Sequence, residues 1–204
     1  FTGGCHHSDG CLKYREACNY CFQLAGTRDE YLSGKILRYK LDALSVLRDD
    51  QLVIVSPSAW LEQHSRNSKL LSRFRHEVIP NVCDPPVLLA DRAVIRSELG
   101  IKSHQKAVLF VSHQVRNPRK GLQVFLEAAA STKENFVLIS IGEHMHVDPG
   151  KVPGHIQLGY VHDRRKLFDI YAAADLFVLP SLAENFPNTI VEALLVGTPV
   201  LASN

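Results

Sequence analysis

Two glutamates near the carboxyl end of the chain have the spacing and the setting of ligand-binding residues. Seven residues separate Glu184 from Glu192. A carboxylate accepts two hydrogen bonds side by side, which suits the paired hydroxyls of a ribose or hexose ring. Between the glutamates, the backbone N–H groups of Phe186, Asn188 and Thr189 are predicted to be free to donate to phosphate or hydroxyl oxygens.

Each glutamate also has a purely structural alternative. Thr189 and Glu192 have the spacing of a capping box, in which a hydroxyl and a carboxylate cap the first amides of a helix. Glu184 lies in a loop rich in Asn and Pro, where a solvated side chain is the more ordinary outcome. The residues by themselves leave both alternatives open.

A basic loop, residues 113–121, follows a predicted buried strand. Its Arg116, Arg119 and Lys120 suit a diphosphate, because lysine acts as a point charge and arginine as a fork of donors. The loop is not a P-loop, since it lacks the pattern G-x4-G-K-S/T. A solvated basic surface is an equal alternative on the residues alone.

The first 24 residues contain four of the five cysteines. They are Cys5, Cys11, Cys18 and Cys21. Four thiolates could form a closed tetrahedral zinc site, which would be structural because it leaves no open position for catalysis. His6 and His7 are alternative ligands, while free thiols and a pair of disulfides remain open. Disulfides are disfavoured if the chain is cytosolic.

The elements around the glutamates form a strand–loop–helix–strand unit. A buried strand is predicted over 175–179, a short helix over 189–196 that Gly197 ends, and another strand over 199–203. Such units build parallel α/β sheets, which bind ligands where a strand ends and the following helix begins.

The rest of the chain shows the same alternation. Further strands are predicted over 51–56, 76–80, 107–112, 136–142 and 156–161. Further helices are predicted over 29–48, 58–71, 91–99, 122–130 and 163–174. Trp60 is predicted as a core residue of its helix. From residue 107 the order is β-α-β-β-α-β-α-β, which is a Rossmann-like half.

The composition is that of an ordinary globular protein. Of 204 residues, 46% are hydrophobic and 22% are charged, and the net charge is +2. No basic stripe with interleaved aromatics occurs, so nucleic acid is not an expected partner. The apolar runs are too short to span a bilayer and no signal peptide occurs, so we expect a cytoplasmic protein, with peripheral contact to the inner membrane face left open.

The motif Glu184-x7-Glu192, with Phe186 after the first glutamate and Gly-Thr-Pro-Val after the helix, resembles the signature of the retaining glycosyltransferases of family four. The resemblance implies the GT-B fold, an α/β fold with Rossmann-like domains and parallel sheets. In that family the first glutamate contacts the donor sugar and the second holds the ribose of the nucleotide. The intervening backbone, here Phe186, Pro187, Asn188 and Thr189, meets the sugar hydroxyls and the diphosphate. Asn185 and Pro187 replace the usual glycines.

Two other segments extend the resemblance to the donor site. Lys120 followed by glycine resembles the phosphate-binding Lys-Gly of the family, and Arg116 and Arg119 compete for the role of its arginine partner. Tyr160 and Val161, after a glycine, resemble the turn beside the nucleotide base.

The amino-terminal part resembles the end of the family's acceptor domain. The Thr-Gly-Gly-Cys-His run and the cysteines up to Cys21 are similar to a segment of bacterial enzymes of capsule, exopolysaccharide and lipopolysaccharide assembly. The run from Pro80 to Asp84 resembles the family's exit from its first domain, with Val82 in place of glycine. We therefore predict an acceptor-domain part over 1–84, with the Cys-rich segment 1–24, and a donor domain over 85–204.

The resemblance implies transfer of a hexose, with retention, from a nucleotide-diphosphate sugar to a glycan or lipid-linked acceptor in polysaccharide biosynthesis. Lys120 with an arginine would stabilise the departing diphosphate, and no metal or other catalytic cofactor is expected. A GT-B nucleotide-sugar epimerase is the alternative enzyme. Because the chain begins without Met and ends directly after a predicted strand, we expect a segment of a longer protein, which by itself would be weakly active or an inactive nucleotide-sugar-binding module.

Overall fold

The computed structural model of the protein describes residues 3, 10–21, 31–84, 90–114, 117–132, 134–143, 152 and 154–203. The chain divides into two compact units, Phe1–Asn81 and Val82–Asn204, which we call unit 1 and unit 2. The sequence pattern predicts the domain boundary slightly later, after residue 84.

In its described residues, unit 1 contains two α-helices and a small parallel sheet. Its elements in chain order are a 3₁₀ turn at Lys13–Arg15, α1 (Leu32–Ser45), β1 (Val53–Ser56), α2 (Ala59–Arg66) and β2 (Arg75–Val78). The strands β1 and β2 pair in parallel, with Val53 opposite Arg75. Ser58 begins α2 as its N-cap, because its hydroxyl accepts a hydrogen bond of 3.2 Å from the N–H of Leu61.

The cysteine segment packs directly against the first turn of α1. The Ser33 hydroxyl donates to the carbonyl of Cys18 over 2.9 Å. At Gly34 a Cβ would lie 2.8 Å from the same carbonyl, so the two backbones approach too closely for a side chain. Tyr14, Cys18, Leu37 and Leu70 form the small core of this unit.

Two predictions for α2 are wrong. The helix ends at Arg66 and not at residue 71, because Asn67 caps it and the following residues form turns, in which Leu70 is buried. Trp60 is not a core residue: it is 48% exposed. It lies in the first turn of the helix, where its ring packs on that of His64 one turn later, at 4.3 Å between centroids.

Unit 2 is a five-stranded parallel sheet with helices. Its elements are α3 (Arg92–Glu98), β3 (Lys106–Ser112), a 3₁₀ turn at Pro118–Lys120, α4 (Leu122–Ala130), β4 (Phe136–Gly142), β5 (His155–Gln157), α5 (Arg164–Ala173), β6 (Leu176–Leu179), α6 (Asn188–Leu195) and β7 (Val200–Ala202). The strand order is β5-β4-β3-β6-β7. The predicted order of elements from residue 107 is confirmed. The strand predicted within 156–161 is β5, which ends at Gln157, and Gly159 adopts a left-handed φ of 63° in the turn that follows.

The core of unit 2 lies on both faces of the sheet, because successive residues of a strand point to opposite sides. On one face, Leu109 and Ile139 pack with Phe177 and with residues of α5 and α6. On the other face, Phe110 and Leu138 pack with residues of α4. Burial on both faces explains why β3 and β4 are almost continuously apolar.

Asp175 connects the amino-terminal ends of β3 and β6 in this sheet. Its carboxylate accepts hydrogen bonds from the N–H of Ala107 (2.7 Å), from Arg92 (2.7 Å) and from Arg96 (3.0 Å). Burial acts to raise the pKa of Asp175, but these three hydrogen bonds outweigh it, and the net pKa is lowered. The carboxylate thereby joins β3 and α3 to the start of β6.

We expect Asp175→Asn to lower the free energy of unfolding by about 1–3 kcal/mol at pH 7, because hydrogen bonds to a charged acceptor are lost. A carboxyl group whose pKa is lower in the folded state stabilises the folded protein at pH values above its unfolded-state pKa. That contribution disappears as pH falls through the folded-state pKa. The difference between variant and wild type should therefore shrink below about pH 4. Urea unfolding at several pH values measures it.

The matched control is Asp50→Asn, which removes the exposed ion pair with Arg48 in unit 1. We expect it to change the free energy of unfolding by less than about 0.5 kcal/mol. An equal effect of the two variants at pH 7 would contradict the role of Asp175.

Candidate functional site

The candidate site lies where the strand order of unit 2 reverses. From β3 the chain proceeds to β4 and β5 on one side, and then returns to β6 and β7 on the other side. Open parallel sheets bind ligands in the crevice outside the carboxyl ends of the two strands at such a point. Here these strands are β3 and β6, so residues 113–114 and 117–121 on one side and residues 180–187 on the other border the crevice.

Backbone contacts hold the two loops together. The Asn117 side chain accepts from the N–H of Arg119 over 3.0 Å and so begins the 3₁₀ turn. The carbonyl of Arg119 accepts from the N–H of Leu182 over 2.8 Å. Gly121 ends the turn with a left-handed φ of 67°, and a Cβ there would lie 1.7 Å from the carbonyl oxygen of Pro180. Only glycine fits this contact.

This contact brings the two predicted catalytic side chains together. The ammonium of Lys120 donates to the Glu184 carboxylate over 2.5 Å, although 64 positions separate them. Their side chains are 24% and 22% exposed, so water screens this pair less than one on the open surface. The site thus combines a cation that suits anionic oxygens with a carboxylate that suits hydroxyls.

Glu192 is held by a different element. Its Oε2 atom accepts a hydrogen bond of 3.0 Å from the hydroxyl of Tyr171, which lies on α5. Burial raises the pKa of Glu192, and the Tyr171 hydroxyl and the nearby charge of Arg164 only partly offset this effect.

The capping-box alternative is wrong. The N-cap of α6 is Pro187, which makes no side-chain capping bond, and Thr189 is already the second residue of the helix. The helix starts earlier than the spacing of Thr189 and Glu192 suggests because Pro187 has the extended conformation of an N-cap residue. The carboxylate of Glu192 therefore remains at the side of the helix, next to α5.

Tyr160 joins the turn after β5 to the loop after β3. Its hydroxyl donates to the carbonyl of His113 over 3.0 Å, and the two rings lie 5.2 Å apart. Tyr160 is exposed, whereas Val161 is half-buried against the core of unit 2. The turn thus presents an aromatic side chain beside the crevice loops.

The other predicted donor-site residues occupy the same edge of the sheet. Arg119, Phe186, Pro187 and Thr189 are half-buried and Asn188 is exposed. Arg116 lies outside the described residues, so the choice between Arg116 and Arg119 as the arginine partner of Lys120 stays a prediction.

The predicted zinc site falls partly outside the described residues, since Cys5, His6 and His7 are not among them. Cys18 and Cys21 are buried, Cys11 is half-buried, and all three carry free thiols. Within the described residues, no group of three His, Cys, Asp or Glu side chains could hold a metal ion. The four-cysteine site therefore stays a prediction.

Three residues of the site were not predicted. Ser112 is the last residue of β3 and Ser181 follows β6, and both have buried hydroxyls without a hydrogen-bond partner among the described residues. A serine at the carboxyl end of each of two buried parallel strands is a signal that could have indicated them. Tyr171 has no such signal, because an aromatic residue in a helix is most simply a core residue.

We expect Gly121→Ala to lower the free energy of unfolding by roughly 3 kcal/mol, because the left-handed conformation is strained and the methyl group overlaps the carbonyl of Pro180. Urea unfolding of the variant measures this loss. The control is Gly100→Ala, which has a similar φ of 70° but meets nothing within 4 Å. It should cost about 1 kcal/mol. Equal losses in the two variants would show that the close approach to Pro180 carries no cost.

The amino-acid sequence is similar to those of known glycosyltransferases. Residues 105–204 match the family model of glycosyl transferases, group 1. WcaC of Escherichia coli strain K12, a glycosyl transferase named for colanic acid biosynthesis, is 28% identical over 213 residues, which cover 100% of this chain and 49% of WcaC. TuaC of Bacillus subtilis strain 168, a glycosyltransferase named for teichuronic acid biosynthesis, is 33% identical over 110 residues, or 54% of this chain and 28% of TuaC. The chain thus spans about half the length, or less, of these curated relatives.

Solved structures share the fold. The sucrose-phosphate synthase of Thermosynechococcus elongatus superposes with a TM-score of 0.65 at 23% identity, over 96% of this chain and 48% of that protein. Anabaena HepE in complex with UDP-glucose gives a TM-score of 0.62 at 21% identity, over 82% of this chain and 48% of HepE. The predicted parallel α/β fold of GT-B type is confirmed. Residues 105–204, which contain the Lys120–Glu184 pair and Glu192, match the group 1 glycosyl transferases, and the predicted resemblance to the glycosyltransferases of family four is confirmed.

Proposed function

We propose that the chain contains the donor site of a retaining glycosyltransferase, which moves a hexose from a nucleotide-diphosphate sugar to a glycan or lipid-linked acceptor. The observation that carries the proposal is the Lys120–Glu184 pair at the point where the strand order reverses. A lysine and a carboxylate in contact there suit a ligand that presents phosphate oxygens next to hydroxyls.

Each member of the pair has its own role in the reaction. The bond between the anomeric carbon and a diphosphate oxygen breaks, the acceptor hydroxyl oxygen bonds to the same carbon, and the hydroxyl proton leaves with the nucleoside diphosphate. Lys120 stabilises the negative charge that develops on the departing diphosphate, with Arg119 or Arg116 beside it. Glu184 accepts hydrogen bonds from sugar hydroxyls. Because these side chains supply the positive charge, the proposed reaction needs no metal ion.

The nucleotide occupies the adjacent part of the site in this proposal. Glu192 accepts hydrogen bonds from the ribose hydroxyls, and the turn at Tyr160 and Val161 lies beside the base. The backbone N–H groups of Phe186, Asn188 and Thr189 lie at the amino end of α6, where the helix dipole favours a negatively charged group.

Relatives indicate the pathway and the donor to test first. WcaC and TuaC are named for the biosynthesis of colanic and teichuronic acid, which supports a role in polysaccharide assembly. HepE is solved with UDP-glucose, which supports a nucleotide-sugar donor.

Within the part of the chain that the structure describes, no helix is long and apolar enough to cross a membrane. We propose a cytoplasmic enzyme that meets a lipid-linked acceptor at the inner membrane face.

We expect Lys120→Ala to weaken UDP binding by about 10- to 100-fold, because a charge-assisted hydrogen bond to phosphate is worth about 1.5–3 kcal/mol. Isothermal titration calorimetry with UDP, GDP and ADP measures Kd and also identifies the base. Circular dichroism verifies that each variant is folded.

The control for this variant is Lys102→Ala, which removes an exposed lysine near the other end of β3. It should bind the same nucleotide with unchanged Kd. If Lys120→Ala and Lys102→Ala bind equally well, Lys120 does not contact the diphosphate.

We expect Glu184→Gln to affect the binding of the diphosphate and the binding of the sugar differently. UDP should bind about 2- to 5-fold tighter, because Glu184 no longer competes for the ammonium of Lys120. UDP-glucose should lose the additional affinity that its sugar provides, because an amide replaces the carboxylate that accepts from the hydroxyls. Calorimetry with both ligands tests this, with Glu98→Gln as an exposed control. A parallel change for UDP and UDP-glucose would contradict the role of Glu184.

A further inference from the structure

We propose that Tyr171 is a positioning residue of the nucleotide site: its buried hydroxyl holds one carboxylate oxygen of Glu192 and so orients the other toward the ribose. The inference rests on the proposed function, in which Glu192 binds the ribose. It assigns a role in ligand binding to a residue that a sequence pattern would place in the core alone.

The core of unit 2 fixes the ring of Tyr171. The residue is 0% exposed and lies on α5, with its ring centroid 6.3 Å from that of Phe168 and 5.5 Å from that of Phe177. Phe177 belongs to β6, the strand that leads into the loop of Glu184. A ring packed in this way cannot move without disturbing the core, so its hydroxyl is a fixed point.

Thr198 links the same two helices, α5 and α6, through the backbone. Its hydroxyl donates to the backbone carbonyl of Tyr171 over 2.6 Å, and its N–H donates to the carbonyl of Ala193 over 2.9 Å. Ala193 follows Glu192 directly on α6. The position of Glu192 relative to Tyr171 is therefore fixed by two separate contacts, the bond from the Tyr171 hydroxyl and the link through Thr198.

The hydroxyl group itself needs an explanation. A phenylalanine would fill the same core position, whereas a buried hydroxyl costs free energy unless it is hydrogen-bonded. Among the described residues, the hydrogen bond recorded for this hydroxyl runs to Oε2 of Glu192, over 3.0 Å. The tyrosine thus meets this requirement through a half-buried residue of α6, which is a candidate ligand-binding residue.

The charges around Glu192 make this role measurable. Burial raises the pKa of Glu192, while the Tyr171 hydroxyl and the charge of Arg164, both from α5, lower it. Burial raises the pKa of Tyr171 itself far above its usual value, and Glu192 and the nearby Cys83 add to that effect, so Tyr171 stays a neutral donor. Loss of its hydroxyl should therefore raise the pKa of Glu192 further.

The direction in which pH changes nucleotide affinity follows from the ionisation of Glu192. The ionised carboxylate accepts two hydrogen bonds from ribose, so nucleotide affinity falls as pH falls through the pKa of Glu192. In Tyr171→Phe this fall should occur at a higher pH, with the midpoint shifted up by about one pH unit, as expected for the loss of one hydrogen bond to a charged group.

The experiment is a calorimetric titration of the 204-residue chain with UDP, GDP and ADP. The nucleotide that binds most tightly is then followed between about pH 5 and pH 8. The variants are Tyr171→Phe, Glu192→Gln and their combination. The control is Tyr14→Phe, which removes a buried tyrosine hydroxyl that bonds to His64 in unit 1. Circular dichroism verifies folding.

We expect Tyr171→Phe to shift the pH profile and Glu192→Gln to remove the part of the pH dependence that Glu192 contributes. The part that remains belongs to the terminal phosphate of the nucleotide, whose second pKa is about 6. In the Glu192→Gln background, Tyr171→Phe should have no further effect on the pH profile, because the group whose pKa it raises is gone. Tyr14→Phe should keep the wild-type profile.

The other outcomes separate the two proposals. A wild-type profile in Tyr171→Phe, while the profile of Glu192→Gln differs from wild type, overturns the positioning role and leaves the proposed function standing. Unchanged affinity and profile in Glu192→Gln overturns the ribose contact and the inference that rests on it. A folded chain that binds none of the three nucleotides overturns the proposed donor site and, with it, the role of Tyr171.

Discussion

The backbone contact between Gly121 and Pro180 is the constraint on which the site depends. The contact leaves no room for a side chain, and it joins the loop after β3 to the loop after β6 where the strand order reverses. Lys120 directly precedes that glycine, and Glu184 lies shortly after that proline. The two charges can therefore meet in an ion pair. Close backbone approach, and not side-chain attraction alone, makes the site compact.

The two carboxylates of the site are supported in different ways, and the difference matches their proposed tasks. Glu184 is paired with a cation, and a ligand that brings its own phosphate oxygens and hydroxyls can replace that pair. Glu192 is bonded to a neutral hydroxyl whose ring lies in the core, so it is held in place without a ligand. A ligand can thus replace the partner of Glu184, whereas Glu192 is already held by its bond to Tyr171.

The amino-terminal and carboxyl-terminal ends of the parallel strands have separate roles. At the amino-terminal edge, Asp175 binds Arg92, Arg96 and the backbone of Ala107, and so ties α3 and β3 to β6. At the carboxyl edge, the loops carry the polar residues of the candidate site. Because β3 and β6 run from one end of the sheet to the other, the Asp175 contacts at their amino-terminal ends help to fix the relative position of the loops that carry Lys120 and Glu184 at their carboxyl ends.

The sequence by itself determined the order of strands and helices in unit 2, the parallel sheet and the candidates Lys120, Glu184 and Glu192. These depend on local patterns: apolar runs, turn residues and the rule that such sheets bind ligands at their carboxyl ends. Tertiary structure alone decided that β3 lies beside β6, which brings Lys120 to Glu184 across 64 positions. It also decided that Glu192 meets Tyr171 instead of capping its helix, and that Trp60 is exposed. The physical reason is that periodicity reports which face of an element is buried, whereas a side chain's partner depends on which elements become neighbours.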